Sequence, residues 1–146
     1  MRQLEAALKA AGDRSRTRIL KLIETRDLCV CQIQAVLGLA PSTVSKHLSV
    51  LRSSGLVEDR REGRWIHYGI ASSGENPYAD GVLALVRGAL DRDPKILEDR
   101  RRLQEVLRTP LAELCAVMPV QSVSVPSASR RGRGARKAGR RDRAHA

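Results

Sequence analysis

Cys29 and Cys31, in the run Leu28-Cys29-Val30-Cys31-Gln32-Ile33, are the residues of this chain best suited to chemistry. Two thiols one residue apart have two uses: soft thiolates bind thiophilic ions, or they pass electrons by forming a disulfide. Within a dozen residues comes Pro41-Ser42-Thr43-Val44-Ser45-Lys46-His47-Leu48, which reads as a DNA-recognition helix. The adjacency points to a chemical sensor beside a DNA reader. The third cysteine, Cys115, stands alone in Leu114-Cys115-Ala116, where packing is its ordinary role and a ligand role the sharper alternative. An odd count with two members this close is no disulfide scaffold, so a reducing compartment is expected.

Residues two apart on a regular helix point about 200° from one another, given roughly 3.6 residues per turn. If Cys29 and Cys31 lie on one helix, an ion bridging them has to unwind that turn. A helix N-terminus also favours thiolate over thiol, which predicts reactive cysteines.

The elements that must position these thiols follow from periodicity. Leu4, Ala7, Leu8 and Ala11 mark a first helix, and Gly12-Asp13 stops it and caps a second carrying Ile19, Leu20 and Ile23 inward. Asp27 to Leu37 reads as a third helix closed by Gly38, and Pro41 starts a fourth with Val44, Leu48 and Leu51 on its apolar stripe. Two helices joined by a short glycine-containing turn fit a helix-turn-helix. Leu56–Arg61 and Arg64–Ile70 flank Glu62-Gly63, a hairpin connection that makes a basic wing. Tyr78, Val82, Leu83, Val86 and Leu90 mark a further helix, and Asp93-Pro94 restarts a charged one through Leu97, Leu103, Val106 and Leu107.

The expected fold class is mainly α with a small β-hairpin: a winged helix-turn-helix, homodimeric through amphipathic terminal helices, with a disordered basic C-terminal tail. Residues 1–92 form the DNA-binding and dimerisation domain, 93–109 an additional helix, and 110–146 a flexible segment and tail. Ser122 to Ala146, rich in Ser, Gly, Arg and Ala, buries too little apolar surface to offset chain entropy.

Charge agrees with a nucleic-acid partner. The net charge is +11, and Ser127 to Ala146 holds eight of the 27 basic residues against Asp142 alone, so +7 sits in the tail and +4 in the body. Lys and Arg that neutralise phosphates release counterions, which favours nucleic acid over a membrane surface. With one Trp, two Tyr and no Phe, no stacking platform for single strands can be assembled, so duplex DNA is the expected partner. No paired catalytic carboxylates, nucleophile with adjacent base or phosphate-cradling glycine loop supports an enzyme. No apolar run reaches a membrane span, and Met1 to Ala11 alternates charged with apolar residues, unlike a signal peptide, so a cytoplasmic location is expected.

The CVC segment, the Pro41–Leu48 helix, Leu51-Arg52-Ser53-Ser54-Gly55-Leu56-Val57 and the Arg60-Arg61-Glu62-Gly63-Arg64 wing together resemble the ArsR/SmtB family of winged-helix repressors, in its arsenic-responsive branch. The resemblance runs from about Leu4 to about Leu90. It implies a homodimer that occupies operator DNA when empty and releases it on binding trivalent arsenic or antimony as inducer, with no permanent cofactor. The arsenic-sensing members carry a third cysteine three residues after the second, where this chain has Gln34. The third ligand is then Cys115 of the same or the other subunit, solvent, or a methyl group on the arsenic. Zinc or nickel sensing would draw on His and carboxylates near the late helix, where Asp80 stands without a His. Cadmium or lead sensing, and a redox switch through Cys29, Cys31 or Cys115, remain the alternatives.

On the DNA side, Ser42, Ser45, Lys46 and Ser49 fall opposite the buried stripe, flanked by Thr43 and His47, the last matching the family's recognition-helix position. Lys46 and Arg52 position phosphates, and Arg60, Arg61 and Arg64 at the hairpin reach backbone or minor groove. Trp65, His67 and Tyr68 on the second wing strand are read as packing. The Arg130–Arg143 run adds non-specific DNA affinity or is an inert extension.

Overall fold

In the computed structural model, which describes residues 1–117, seven helices accompany a small three-stranded sheet that packs on α2, α3 and α4. Helix α1 spans Arg2–Ala11 and buries Ala7 and Ala10, while Leu8 is half exposed. The sequence places Leu8 inward; the buried stripe is instead drawn through the two alanines, whose small side chains permit close approach to α5 (Ala79–Gly88) and α4 (Pro41–Ser53). Helix α2 (Arg14–Ile23) starts where Asp13 Oδ1 accepts from the Arg16 amide at 3.0 Å, and buries Ile19, Leu20 and Ile23 as its periodicity requires.

The expected third helix begins later than its sequence suggests. Leu28–Cys29 is a short strand, β1, and α3 runs Val30–Leu37. Leu28 and Cys29 are extended because they pair with the second wing strand, an interaction that local sequence does not encode. Helix α3 then starts through a capping box: the Cys29 amide donates to Gln32 Oε1 at 2.9 Å, and Cys29 Sγ accepts from the Gln32 amide. It ends at Gly38, whose φ of +67° is the left-handed conformation glycine tolerates.

Helix α4 has Pro41 in its first turn and buries Val44, Leu48 and Leu51. Strands β2 (Val57–Glu62) and β3 (Trp65–Ile70) form the wing, antiparallel with Glu62 opposite Trp65. The connecting residues are therefore Gly63-Arg64, one position beyond the expected Glu62-Gly63, and Gly63 takes the turn's positive φ of +59°. Sheet order is β1-β3-β2, with Leu28 opposite Tyr68 and Cys29 opposite His67. The hairpin is thus tied along its β3 edge to the start of α3.

Buried Asn76 ties the wing's exit to the helices: its Nδ2 donates to Gln3 O at 3.0 Å and to Ser54 O at 2.8 Å, while Oδ1 accepts from the Tyr78 amide. Helix α6 (Pro94–Val106) is capped by Asp93, as the Asp-Pro signal predicts, and Leu103 enters the main core beside α2 and α3. Order was expected to fade beyond Pro110, yet Leu111–Val117 forms a further helix, α7, against α3. Its Leu111 and Leu114 find apolar partners that composition alone does not reveal. The Ser122–Ala146 tail lies outside the described residues.

Candidate thiol site and DNA-facing surface

Three elements bring the cysteines together. β1 supplies Cys29, the first turn of α3 supplies Cys31, and α7 supplies Cys115; the three sulfurs all lie within 4.8 Å of one another and all three residues are buried. Cys31 and Cys115 are paired as a disulfide, with Cα atoms 5.6 Å apart, and Cys29 is the free thiol beside them. No other group of three His, Cys, Asp or Glu side chains with this geometry occurs among the described residues.

Two expectations about the pair change. Cys29 is extended, at φ −74° and ψ 153°, so the 200° divergence of a regular helix does not apply and its sulfur faces that of Cys31 without any unwinding. The thiol of Cys29 is also not activated: burial pushes its pKa up, outweighing amide hydrogen bonds from Cys31, Val30 and Gln32 that act in the other direction. The N-terminal amides do point at the sulfur, as expected, but desolvation is the larger effect. Gln34, where the resembled proteins carry a cysteine, is buried at 3 % exposure in α3.

The sulfurs form a small cluster of their own, packed by Trp65, Leu111 and Leu114. Trp65 was read from sequence as packing, and it is; what sequence did not show is that it packs on cysteine. Along β3 side chains alternate, so Trp65 and His67 share a face, and Cys29 opposite His67 lies on that same face diagonal to Trp65. The signal was available only once β1 was known to be a strand.

The expected DNA-contacting residues of α4 present a continuous surface. Ser42, Lys46, Ser49 and Arg52 are exposed, and Thr43, Ser45 and His47 are half-buried at its margins. His47 Nδ1 lies 3.9 Å from Asp13 Oδ1, against the start of α2. Arg52 Nε is 3.0 Å from Asp59 Oδ1, tying α4 to β2. On the wing, Arg60 is held by Asp27 at 3.0 Å and Glu62 at 3.3 Å, whereas Arg61 and Arg64 make no ion pair among the described residues. Arg64 instead lies over the Trp65 ring, 4.7 Å from its centroid. Among the described residues the basic side chains therefore divide into two sets: Lys46, Arg61 and Arg64 make no ion pair, while Arg52 and Arg60 are engaged by carboxylates.

Comparison with known proteins agrees with this architecture. Residues 13–59 match the family described as "Bacterial regulatory protein, arsR family". Over 104 residues the chain is 35% identical to the arsenic resistance transcriptional regulator ArsR1 of Pseudomonas putida, a match covering 70% of this chain and 78% of that protein. It is 41% identical over 61 residues to the arsenical resistance operon repressor of Escherichia coli K12, covering 41% of this chain and 52% of that one. Among solved structures, a homodimeric winged helix-turn-helix DNA-binding domain from Mycobacterium bovis, a possible ArsR-family regulator, superposes with a TM-score of 0.52 at 33% identity, covering 62% of this chain and 80% of that one. Reduced HlyU from Vibrio cholerae gives 0.51 at 28% identity, covering 61% and 90%. No described helix is long and apolar enough to cross a membrane. With a helix-turn-helix, a wing and relatives that are regulators rather than enzymes, the chain belongs to the arsR family of bacterial transcriptional regulators.

Proposed function

We propose that this regulator is a cytoplasmic homodimeric repressor that leaves its operator when trivalent arsenic or antimony is bound by Cys29, Cys31 and Cys115. One observation carries the reading: three buried sulfurs from three elements converge within 4.8 Å. Soft thiolates discriminate a thiophilic metalloid from the hard ions of a cell, and burial excludes competing water. The two arsenic-resistance relatives reported above support the same ligand class. The exchange balances without redox change: arsenous acid and three thiols give three arsenic–sulfur bonds, and the thiol protons leave with the hydroxyls as three waters. Where Cys31 and Cys115 are oxidised, a thiol reductant must first return two electrons and two protons to them.

DNA is read by Ser42, Thr43, Ser45, His47 and Ser49 at base edges and by Lys46 with Arg52 at phosphates, with Arg60, Arg61 and Arg64 of the wing beside them. The second subunit covers α1 and α5, where Leu8 and Leu85 are exposed at 50% and 68%. Cadmium and lead satisfy the same thiols and rank below arsenic because the relatives point elsewhere. A thiol redox switch is the second reading, favoured by the Cys31–Cys115 pairing. There, two thiols and one peroxide yield a disulfide and two waters, and oxidation takes the place of the metalloid.

Release of fluorescent upstream DNA, followed by anisotropy in reductant while arsenite and then methylarsenite are titrated, tests the assignment. The expected result is release by arsenite, lost in Cys29→Ser and weakened at least about tenfold, about 1.4 kcal/mol, in Cys115→Ser. Methylarsenite needs two thiolates and should be less sensitive to Cys115→Ser. DNA binding unmoved by either arsenical but abolished by peroxide would replace this reading with the redox one.

A further inference from the structure

The cysteine cluster stands apart from the main apolar core. Val44, Leu48 and Leu51, the buried face of the recognition helix, belong to the main core with Ile19, Leu20 and Ile33, whereas the sulfurs are packed by Trp65, Leu111 and Leu114. A rearrangement among the sulfurs therefore presses first on Trp65, the initial residue of β3, and not on α4.

We propose that the wing is the element through which occupancy of the thiol site reaches DNA, with Trp65 as the positioning residue between them; the proposal rests on the thiol-site reading above. Three connections carry it. The main chain of Cys29 is laddered to His67, so displacement of the sulfur's own backbone moves β3. Trp65 packs against the cysteine cluster, and its ring also carries the Arg64 guanidinium, 4.7 Å from its centroid. Arg60, opposite His67 in the sheet, is held at 3.0 Å by Asp27, two residues before Cys29. A two-residue strand, one ring and one ion pair thus link the site to Arg60 and Arg64 of the wing.

Taking zinc–thiolate bonds of about 2.3 Å as the yardstick, three thiolates on one ion stand about 4 Å apart, so the Cys31 and Cys115 sulfurs, bonded to one another here, must separate after reduction while Cys29 Sγ, within 4.8 Å of both, stays in reach. A local rearrangement of this kind becomes a discrete change where a packed element has two arrangements. Val57 and Tyr68 anchor the base of the hairpin in the main core, so the movement is confined to its exposed tip, Arg61 to Arg64, and to Trp65 beside it. Helix α4 follows through Arg52 and Asp59 rather than leading.

The test uses the full chain in reductant and compares arsenite affinity without DNA with the arsenite needed to release DNA. The ratio is the coupling between the two sites, typically about 5- to 150-fold in such systems. In Trp65→Ala, coupling is expected to fall at least about tenfold, a ratio from which any change in arsenite affinity without DNA cancels; Trp65→Phe, which keeps a ring, should restore most of the coupling. Coupling unchanged in Trp65→Ala overturns the proposal. Trp65 is the only tryptophan, so its emission reports directly: arsenite should quench or shift it in the parent, and unchanged emission on saturation also overturns the proposal, even if Trp65→Ala fails to fold. A parent that binds no arsenite instead overturns the thiol-site reading on which it depends.

Discussion

Arg18 and Asp99 form a bidentate pair across 81 residues of sequence: Nε donates to Oδ2 at 2.7 Å and a terminal nitrogen to Oδ1 at 2.8 Å. Asp99 is 1% exposed and Arg18 only partly so, and the pair fastens α6 to α2 with the carboxylate out of reach of water. The pairing also holds the Arg18 guanidinium above its ordinary pKa. Removing Asp99 leaves Arg18 charged and unpaired but partly solvated, which costs about 2 kcal/mol, below the figure for a wholly buried charge. Asp99→Ala should lower the urea midpoint accordingly. Because α6 leads into α7 and Cys115, its arsenite affinity should fall toward that of Cys115→Ser, measured by calorimetry below the unfolding range.

Lys46 is exposed on α4 and lacks an acidic partner among the described residues. A phosphate contact of this kind contributes about one counterion per subunit to the salt dependence. Lys46→Ala should weaken DNA binding alike across sequences and reduce the log–log salt slope by about two per dimer. A slope that does not move places Lys46 away from the phosphates.

Leu85 is the most exposed leucine on α5, and α5 packs beside α1, where Leu8 is also exposed. Burying such leucines is worth about 1.5 to 3 kcal/mol each, counted twice across a two-fold axis. Leu85→Glu should convert the dimer to monomer in sedimentation at micromolar protein while leaving the helical circular dichroism intact. DNA affinity should fall with it, since two half-sites are no longer engaged together.

Asp13 caps α2, and the hydrogen bond from the Arg16 amide, opposed by partial burial and aided by the Arg16 charge, holds its carboxyl below the usual aspartate range. A group whose pKa is lowered on folding contributes stability above its unfolded value and loses it as pH falls through the folded one. Asp13→Ala should therefore cost about 1 kcal/mol at pH 7, the usual worth of such a cap, and the difference from the parent should shrink below about pH 4. Denaturant midpoints at pH 7 and pH 3 check both signs.

Much of the fold was legible in order. Asp13 and Asp93 announce helix starts, Gly38 an end, and Val44, Leu48 and Leu51 a buried stripe, because caps and periodicity act within a few residues of sequence. The misplacements share one cause. Leu28–Cys29 reads as helix until β3 arrives to pair with it, and Leu8 reads as core until the two alanines prove the closer packers. Leu111–Val117 reads as fading chain until α3 offers a surface.

By itself the sequence determined that two thiols stand beside a recognition helix and a basic wing, since those are matters of residue type and short spacing. Only the tertiary structure decided that Cys115 joins Cys29 and Cys31, that Cys29 is extended and buried, and that Trp65 of the wing packs on the cysteines. Each of these depends on surfaces distant in sequence meeting. The free energy of that meeting, from strand pairing, desolvation and apolar burial, belongs to the assembled molecule and to no segment of it.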